Sequence, residues 1–399
     1  TDARLGKITS NYREKLLKEI NQQQLYQGIF DRLSDVYYTD INTQEFTGTP
    51  ETRLEKVPNA LKNKTLNNLN SRGIYEGILN RMHTPYYKVS IADKRIDHIE
   101  PETCMPIFGE NKLYSVQADN HFFYVYPKTQ RFGYTLNELP FYLEGSTSIH
   151  IAQMTDSFFN KNNIQFFTTP ISDATDNYRT HNIQVTINLQ EKTSQFDAKI
   201  QLAGQYSTLT RQYYQYGTVD SSVNQAYYQN FDLHNTPTAK KTVQLLTKPK
   251  TDFDYQYPFI ANVNLSYERK NCLSQKNDST YTIDMSHWIS HVIYNNLTTN
   301  KRYLPFYSDF EGRDVYRYAL NFDQKVSLPT FKDLPLIIDN DFGRYTFTLE
   351  QVNDNTVLVV STFILKTTTV APENIQQVET IYQAIKQTQK AQFEVYTHN

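Results

Sequence analysis

Residues 181–204 read HNIQVTINLQEKTSQFDAKIQLAG. Ile183, Val185, Ile187 and Leu189 alternate with polar residues, and Phe196, Ala198, Ile200 and Leu202 do the same. Alternation sends every second side chain to one face, the pattern of a half-buried strand. The turn-like EKTSQ between the runs predicts a hairpin. More such segments follow: FIANVNLSYE (259–268), DVYRYALNF (314–322), RYTFTLEQV (344–352) and TVLVVSTFILKTT (356–368). Many short alternating strands predict an antiparallel β-sandwich over 169–399. The polar, partly helical stretch at about 218–250 reads as an insertion. The chain closes with PENIQQVETIYQAIKQTQKAQ (372–392). Pro372 suits a first helical turn, and Ile375, Val378, Ile381, Tyr382 and Ile385 make one apolar face.

Upstream of residue 168 the period differs. Residues 11–37 place Leu16, Ile20, Leu25, Ile29 and Leu33 near the helical spacing, and TLNNLNSRGIYEGILNRMH (65–83) predicts a second helix. Asn70 or Ser71 suits its N-cap, and Pro85 ends it. YYKVSIAD (86–93) and HFFYVYP (121–127) then read as strands separated by a Pro-containing loop. RFGYTLNELPFYLEG (131–145) holds a short strand and a turn. Helices followed by strands predict an α+β first domain over 1–168.

Composition narrows the function classes. The 399 residues carry 40 Lys and Arg against 42 Asp and Glu, a net charge of −2, so no basic excess points to nucleic acid or an anionic membrane. Neither GxGxxG nor GxxxxGK[ST] occurs. Cys104 and Cys272 form no CxxC pair. No apolar run reaches the ~20 residues of a membrane-spanning helix. The opening TDARLGK has no signal-peptide pattern, which suits a cytoplasmic, a processed exported or a trimmed chain alike.

Several residue groups invite chemistry, each with a plainer alternative. Ser71 at a helix start and His121 at a strand start repeat the placement of nucleophile and base in papain-like thiol hydrolases, where the helix dipole lowers the thiolate pKa. A hydroxyl's pKa is too high for that dipole to ionise it, so spacing alone favours a plain N-cap at Ser71. His287 and His291, four apart in SHWISH, have zinc-chelating spacing on a helix, although no HExxH is present and a core pair is the plainer alternative. Cys104, in a Pro-flanked loop, is a candidate replacement nucleophile or a buried structural thiol. Asp119, two residues before His121, is a further candidate to orient it. Glu311, Asp314, Asp339 and Asp341 lack EF-hand spacing and read as solvated loop charge. The run RQYYQYG (211–217) offers aromatic stacking to a sugar or a partner, or packs its own sheet.

NLNSRGIYEGILNRMHTPYYKVSI, ADNHFFYVY and GYTLNELPFYLEG together resemble the bacterial transglutaminase-like superfamily, specifically exported proteins in which that core precedes a DUF3858-type β-sandwich. The resemblance implies a papain-related core. It puts Ser71 at the nucleophile position, with Asn70 and Arg72 beside it and Gly73 replacing a motif Asp. It puts His121, preceded by Asn120, at the base. Leu139, Pro140 and Phe141 match a Leu-Pro-Phe motif, which places the orienting acid at Gly133, next to Tyr134 and Thr135. Two of three triad positions have thus lost their chemistry. The segments from RYLPFYSDF to the chain's end are similar in order to the family's terminal β module.

The combined expectation is an α+β, transglutaminase-like (papain-related) core followed by an antiparallel β-sandwich with a helical insertion and a C-terminal helix. The implied function is a catalytically inactive binding or scaffolding protein of the bacterial periplasm or envelope. Ser71, Asn120, His121 and Tyr134 would line the ligand cleft, a peptide, protein or glycan would be the ligand, and no metal or cofactor is expected. The alternatives are a cysteine- or serine-dependent amide hydrolase or acyltransferase using His121, and an assembly module acting through the β-sandwich.

Overall fold

Aromatic and β-branched residues at period two dominate what forms. In the computed structural model the described residues are 76–77, 79–80, 85–96, 98–99, 110–118, 121–126, 137–153, 164–208, 210–211, 243–247, 250–254, 259–286, 288–293, 302–329, 331 and 334–398. The chain divides into two compact units, Thr1–Ile171 and Ser172–Asn399.

The first unit contains a five-stranded antiparallel sheet in the order β3-β2-β1-β4-β5: β1 (Tyr86–Ala92), β2 (Glu110–Ala118), β3 (His121–Val125), β4 (Thr147–Ala152) and β5 (Ile164–Thr168). One face carries Tyr87, Val89, Ile91, Leu113 and Tyr124, and Leu139 and Leu143 pack onto it. A smaller cluster of Ala92, Ile99 and Ile149, with Phe166 against it, includes residues of the other face. Residues 76, 77, 79 and 80 are helical, and the Glu76 carboxylate accepts from Tyr114 Oη at 2.8 Å and pairs with Lys88 Nζ at 3.2 Å.

This corrects the α+β, papain-like expectation. The described residues are mostly strand, and no papain-related core is seen among them. The stretch 94–120, expected as a loop, supplies β2, and 147–168 supplies β4 and β5. The reason lies in the polar residues of β2 and β4. Ser115, Ser148 and His150 break the apolar alternation, yet they are buried and hydrogen-bonded to one another. The expected helix at 11–37 lies outside the described residues.

In the second unit, the hairpin of β6 (Tyr178–Asn188) and β7 (Thr193–Leu202) forms around the turn at 189–192. They join β8 (Val243–Leu245), β9 (Lys250–Phe253), β10 (Ala261–Arg269), β14 (Gly312–Phe322), β16 (Leu336–Asp339), β17 (Gly343–Asn353) and β18 (Thr356–Leu365) in a nine-stranded sheet. The order is β16-β17-β18-β14-β6-β7-β10-β8, with β9 also paired to β10. The sheet is not wholly antiparallel, because β14 runs parallel to β6 with Tyr318 opposite Ile183. The described part of the expected helical insertion, 243–247 and Lys250, provides the edge strand β8 and the start of β9 rather than helix.

One face of this sheet is buried. A second, four-stranded sheet joins β11 (Leu273–Asn277), β12 (Thr280–Asp284), β15 (Val326–Ser327) and β20 (Gln392–Thr397), and a two-stranded one joins β13 (Phe306–Tyr307) and β19 (Thr369–Val370). The helix Ile375–Thr388 follows a 3-10 turn at Pro372–Asn374. Its Ile375, Val378, Ile381, Tyr382 and Ile385 are buried in one cluster with Ile183, Phe196, Tyr318 and Val359 of the large sheet and Ile283 and Val395 of the small one. Large sheet, helix and small sheet thus share a single sandwich core.

Candidate functional site

A line of polar side chains crosses the inner face of the large sheet. Arg179 on β6 is the register partner of Asp314 on β14, and Tyr316, two residues along, is opposite His181. On the other side of β14, Tyr316 faces Ser361 of β18. Tyr345 on β17 adds its hydroxyl. Each occupies a period-two position that the neighbouring Ile183, Tyr318 and Val359 fill with apolar bulk.

The connections run from a cation to a helix end. Arg179 Nε donates to Asp314 Oδ1 at 2.8 Å, and its Nη2 contacts Oδ2. His291 Nδ1 lies 3.0 Å from Oδ2 of the same carboxylate, and His291 Nε2 lies 2.8 Å from Ser361 Oγ. Ser361 Oγ meets Tyr345 Oη at 3.0 Å, and Tyr345 Oη in turn contacts Thr388 Oγ1 at the end of the terminal helix. Arg179 Nη2 and Tyr316 Oη both donate to Ser290 O at 2.9 Å. Residues 288–293 are thereby strapped to the sheet.

Asp314, His291 and Ser361 have the acid–imidazole–hydroxyl order of a hydrolase triad. Access separates them from one. Ser361 is 0%, Asp314 1% and His291 3% exposed. Burial alone would raise the Asp314 pKa, but the Arg179 and His291 contacts outweigh it and hold the carboxyl well below its usual range. The arrangement keeps the carboxylate ionised and the hydroxyls bonded, and it presents no reacting atom to a solute. With Arg179 and Tyr345 it binds four strands, the strap and the helix together.

A second buried histidine sits in the first unit. His150 on β4 contacts Ser115 Oγ at 3.2 Å through Nδ1 and Ser148 Oγ at 3.0 Å through Nε2. Tyr87, Phe122, Tyr124 and Phe167 surround its ring, with centroids 4.8–5.8 Å away. Burial pulls its pKa down to about 4 and pushes the Tyr124 hydroxyl up to about 12. Among the described residues no carboxylate partners His150, and the lowered pKa keeps it a neutral core group.

Of the residues singled out in the sequence, His121 begins β3 opposite Ala118. Ser71, Asn120, Gly133 and Tyr134 lie outside the described residues, as do Asn70, Arg72, Gly73, Cys104, Asp119, Thr135 and His287. His291 is described, and Asp314 and Ser361 occupy both its ring nitrogens, which removes it as a zinc ligand. Among the described residues no three His, Cys, Asp or Glu side chains converge as metal ligands. Asp314 is a buried ion-pair partner rather than solvated loop charge, whereas Asp339 is half exposed and bonded to Lys366. Arg179, His181 and His150 were missed. Their signal is a polar residue standing where the alternation calls for an apolar one.

Residues 281–395 match a domain of unknown function with a solved structure, DUF3858. The DUF3858 segment holds His291, Asp314, Tyr345, Ser361 and Thr388, and Arg179 and His181 reach it from outside. No curated protein matches the sequence. The fold is similar to a solved structure from Parabacteroides distasonis ATCC 8503 described as a "putative protease", at 10% identity and a TM-score of 0.51. The likeness covers 99% of this chain and 56% of that one, so the chain spans about half the length of its structural neighbour. At that identity the likeness concerns the fold alone. Among the described residues no helix is long and apolar enough to cross a membrane.

Proposed function

We propose that this chain is a non-catalytic binding or scaffolding protein of a bacterial cell envelope, with the DUF3858 segment as its rigid support. One observation carries the reading. The triad-like array Asp314–His291–Ser361 is spent on internal hydrogen bonds, closed beneath the terminal helix and the strap. The envelope placement rests on the sequence resemblance to exported proteins. Ser71, Asn120, His121 and Tyr134 are the ligand-contact positions this reading assigns.

The test is to treat the native full chain with a fluorophosphonate and with a chloroacetamide probe, and in parallel to measure its co-sedimentation with purified peptidoglycan and its affinity for a peptide library. Absent labelling together with saturable binding that Tyr134→Ala weakens is the expected result. Labelling that disappears in His121→Ala overturns it.

A second reading, an amide hydrolase or acyltransferase using His121, draws on the fold shared with the structure described as a protease. It requires that labelling, with Ser71→Ala and Cys104→Ala telling which residue is the nucleophile.

A further inference from the structure

Arg179 and His291 share the Asp314 carboxylate inside the second unit, and a second histidine, His181, stacks on the neighbouring Tyr316. His181 is 0% exposed, and neither ring nitrogen has a hydrogen-bond partner. Its ring stacks on Tyr316, with 4.3 Å between centroids and 14° between planes. A buried imidazole normally has at least one bonded nitrogen, so this one marks a special position.

Charged and titratable groups face it from three of the neighbouring elements. Arg179 comes from its own strand, Asp314 and Tyr316 from β14, and His291 from the strap. Tyr206, from the helical residues 204–208, lies against the Arg179 guanidinium at 5.4 Å. On β7 the partner of His181 is Ile200, which brings no charge. Arg179 and Asp314 balance each other's charge as an ion pair. A proton on His181 has no acceptor and meets a guanidinium, in a place closed to water.

The strap is the element able to yield. Its ties to the sheet are Arg179 and Tyr316 to Ser290 O, Tyr318 to Trp288 O, and His291 to Asp314 and Ser361. These bonds gather on the groups around His181, and the ring stacked on it donates one of them.

We propose that His181 makes the 288–293 strap an acid-sensitive latch: uptake of a proton at His181 opens the strap from the sheet and loosens the terminal helix tied through Ser361, Tyr345 and Thr388. Opening hydrates the imidazole and restores an ordinary value of about 6.5. In the closed state, burial first and Arg179 second hold it down at about 3. The closed form is therefore fully favoured above about pH 6.5. It loses ground about tenfold per pH unit as pH falls from there toward about 3.

Hydrogen–deuterium exchange of the full chain tests this, followed in peptides covering 285–293 and 375–388 and corrected for the intrinsic pH dependence of exchange. In the native sequence the opening constant should rise about tenfold per pH unit between about pH 6 and about pH 4.5. In His181→Leu that slope should vanish, while His150→Gln, in the other unit, should retain it. A pH-independent strap, or the same slope in His181→Leu, overturns the proposal. Should His181→Leu not fold, His181→Gln takes its place, together with the proton chemical shift of the native His181 ring. A ring that gains its proton near pH 6.5 while the strap stays closed also overturns the latch.

Discussion

Arg179 and Asp314 are register partners on the parallel strands β6 and β14, and their side chains close a two-nitrogen ion pair in the sandwich core. Removing one member leaves the other buried and uncompensated, which costs about 3–5 kcal/mol. Asp314→Ala should therefore destabilise the second unit strongly, and Arg179→Met with Asp314→Leu should recover most of the loss. Urea unfolding followed by the fluorescence of Trp288, the sole tryptophan, reads that unit directly. Because Asp314 is held below its ordinary range, its contribution is complete above the usual carboxylate value and is lost progressively as pH falls from there through the lowered one. Equal instability of the single and double variants would mean that shape rather than charge decides the site.

The pattern that made β6, β7, β14, β17 and β18 legible was uninterrupted alternation. Where polar residues stand at core positions, that rule failed in two ways. In β4, Ser148 and His150 hid the strand itself. In β6, the alternation was clear from Ile183 onward, but Arg179 and His181 at the same period were not counted as core. Polar groups enter a core when partners from distant segments satisfy them, and those partners are tertiary facts. His291 reaches Asp314 across 23 residues and Ser361 across 70. The parallel pairing of β6 with β14 was hidden for the same reason, since pairing direction follows from topology and not from period. Sequence spacing did place the Pro-led terminal helix, whose apolar face needed no distant polar partner.

His150 makes the first unit acid-sensitive on its own account. Its buried ring titrates at about 4, against about 6.5 in an unfolded chain. A lowered histidine value means the folded state resists protonation. Stability is therefore intact above about pH 6.5 and declines by about tenfold in the folding constant per pH unit down to about 4. In His150→Gln the decline over that window should disappear, even though the variant is less stable at neutral pH. Circular dichroism of thermal unfolding across the window reads the difference. An unchanged slope would assign the acid sensitivity to other groups.

Cys272 should be chemically silent in the folded protein. It is buried, its Sγ lies 3.1 Å from Ser194 Oγ, and burial pushes the thiol pKa up. The thiolate is the reactive species, so both access and ionisation oppose alkylation. In a Cys104→Ser background, N-ethylmaleimide should add no mass under native conditions and one adduct in denaturant. Rapid native labelling would place Cys272 in a region that opens readily.

Gly204 occupies a position that a side chain cannot enter without strain. Its φ is +54°, in the left-handed region, and a Cβ there would collide with the Asn177 side-chain oxygen and come within 2.8 Å of Asp176 O. Asn177 cannot step aside freely. Its Oδ1 accepts from Gln205 N at 2.9 Å, and its Nδ2 donates to Ser172 Oγ at 2.8 Å and to Glu311 O at 3.0 Å. One side chain thus ties the start of β6, the exit of β7 and the approach to β14. Gly204→Ala should cost about 1–3 kcal/mol, from the backbone conformation and from the displaced amide together. Adding Asn177→Ala removes the side-chain obstacle and leaves only the Asp176 O contact, so the double variant should lose less than the two single losses combined. Strict additivity in urea unfolding would show that backbone strain alone sets the cost at Gly204.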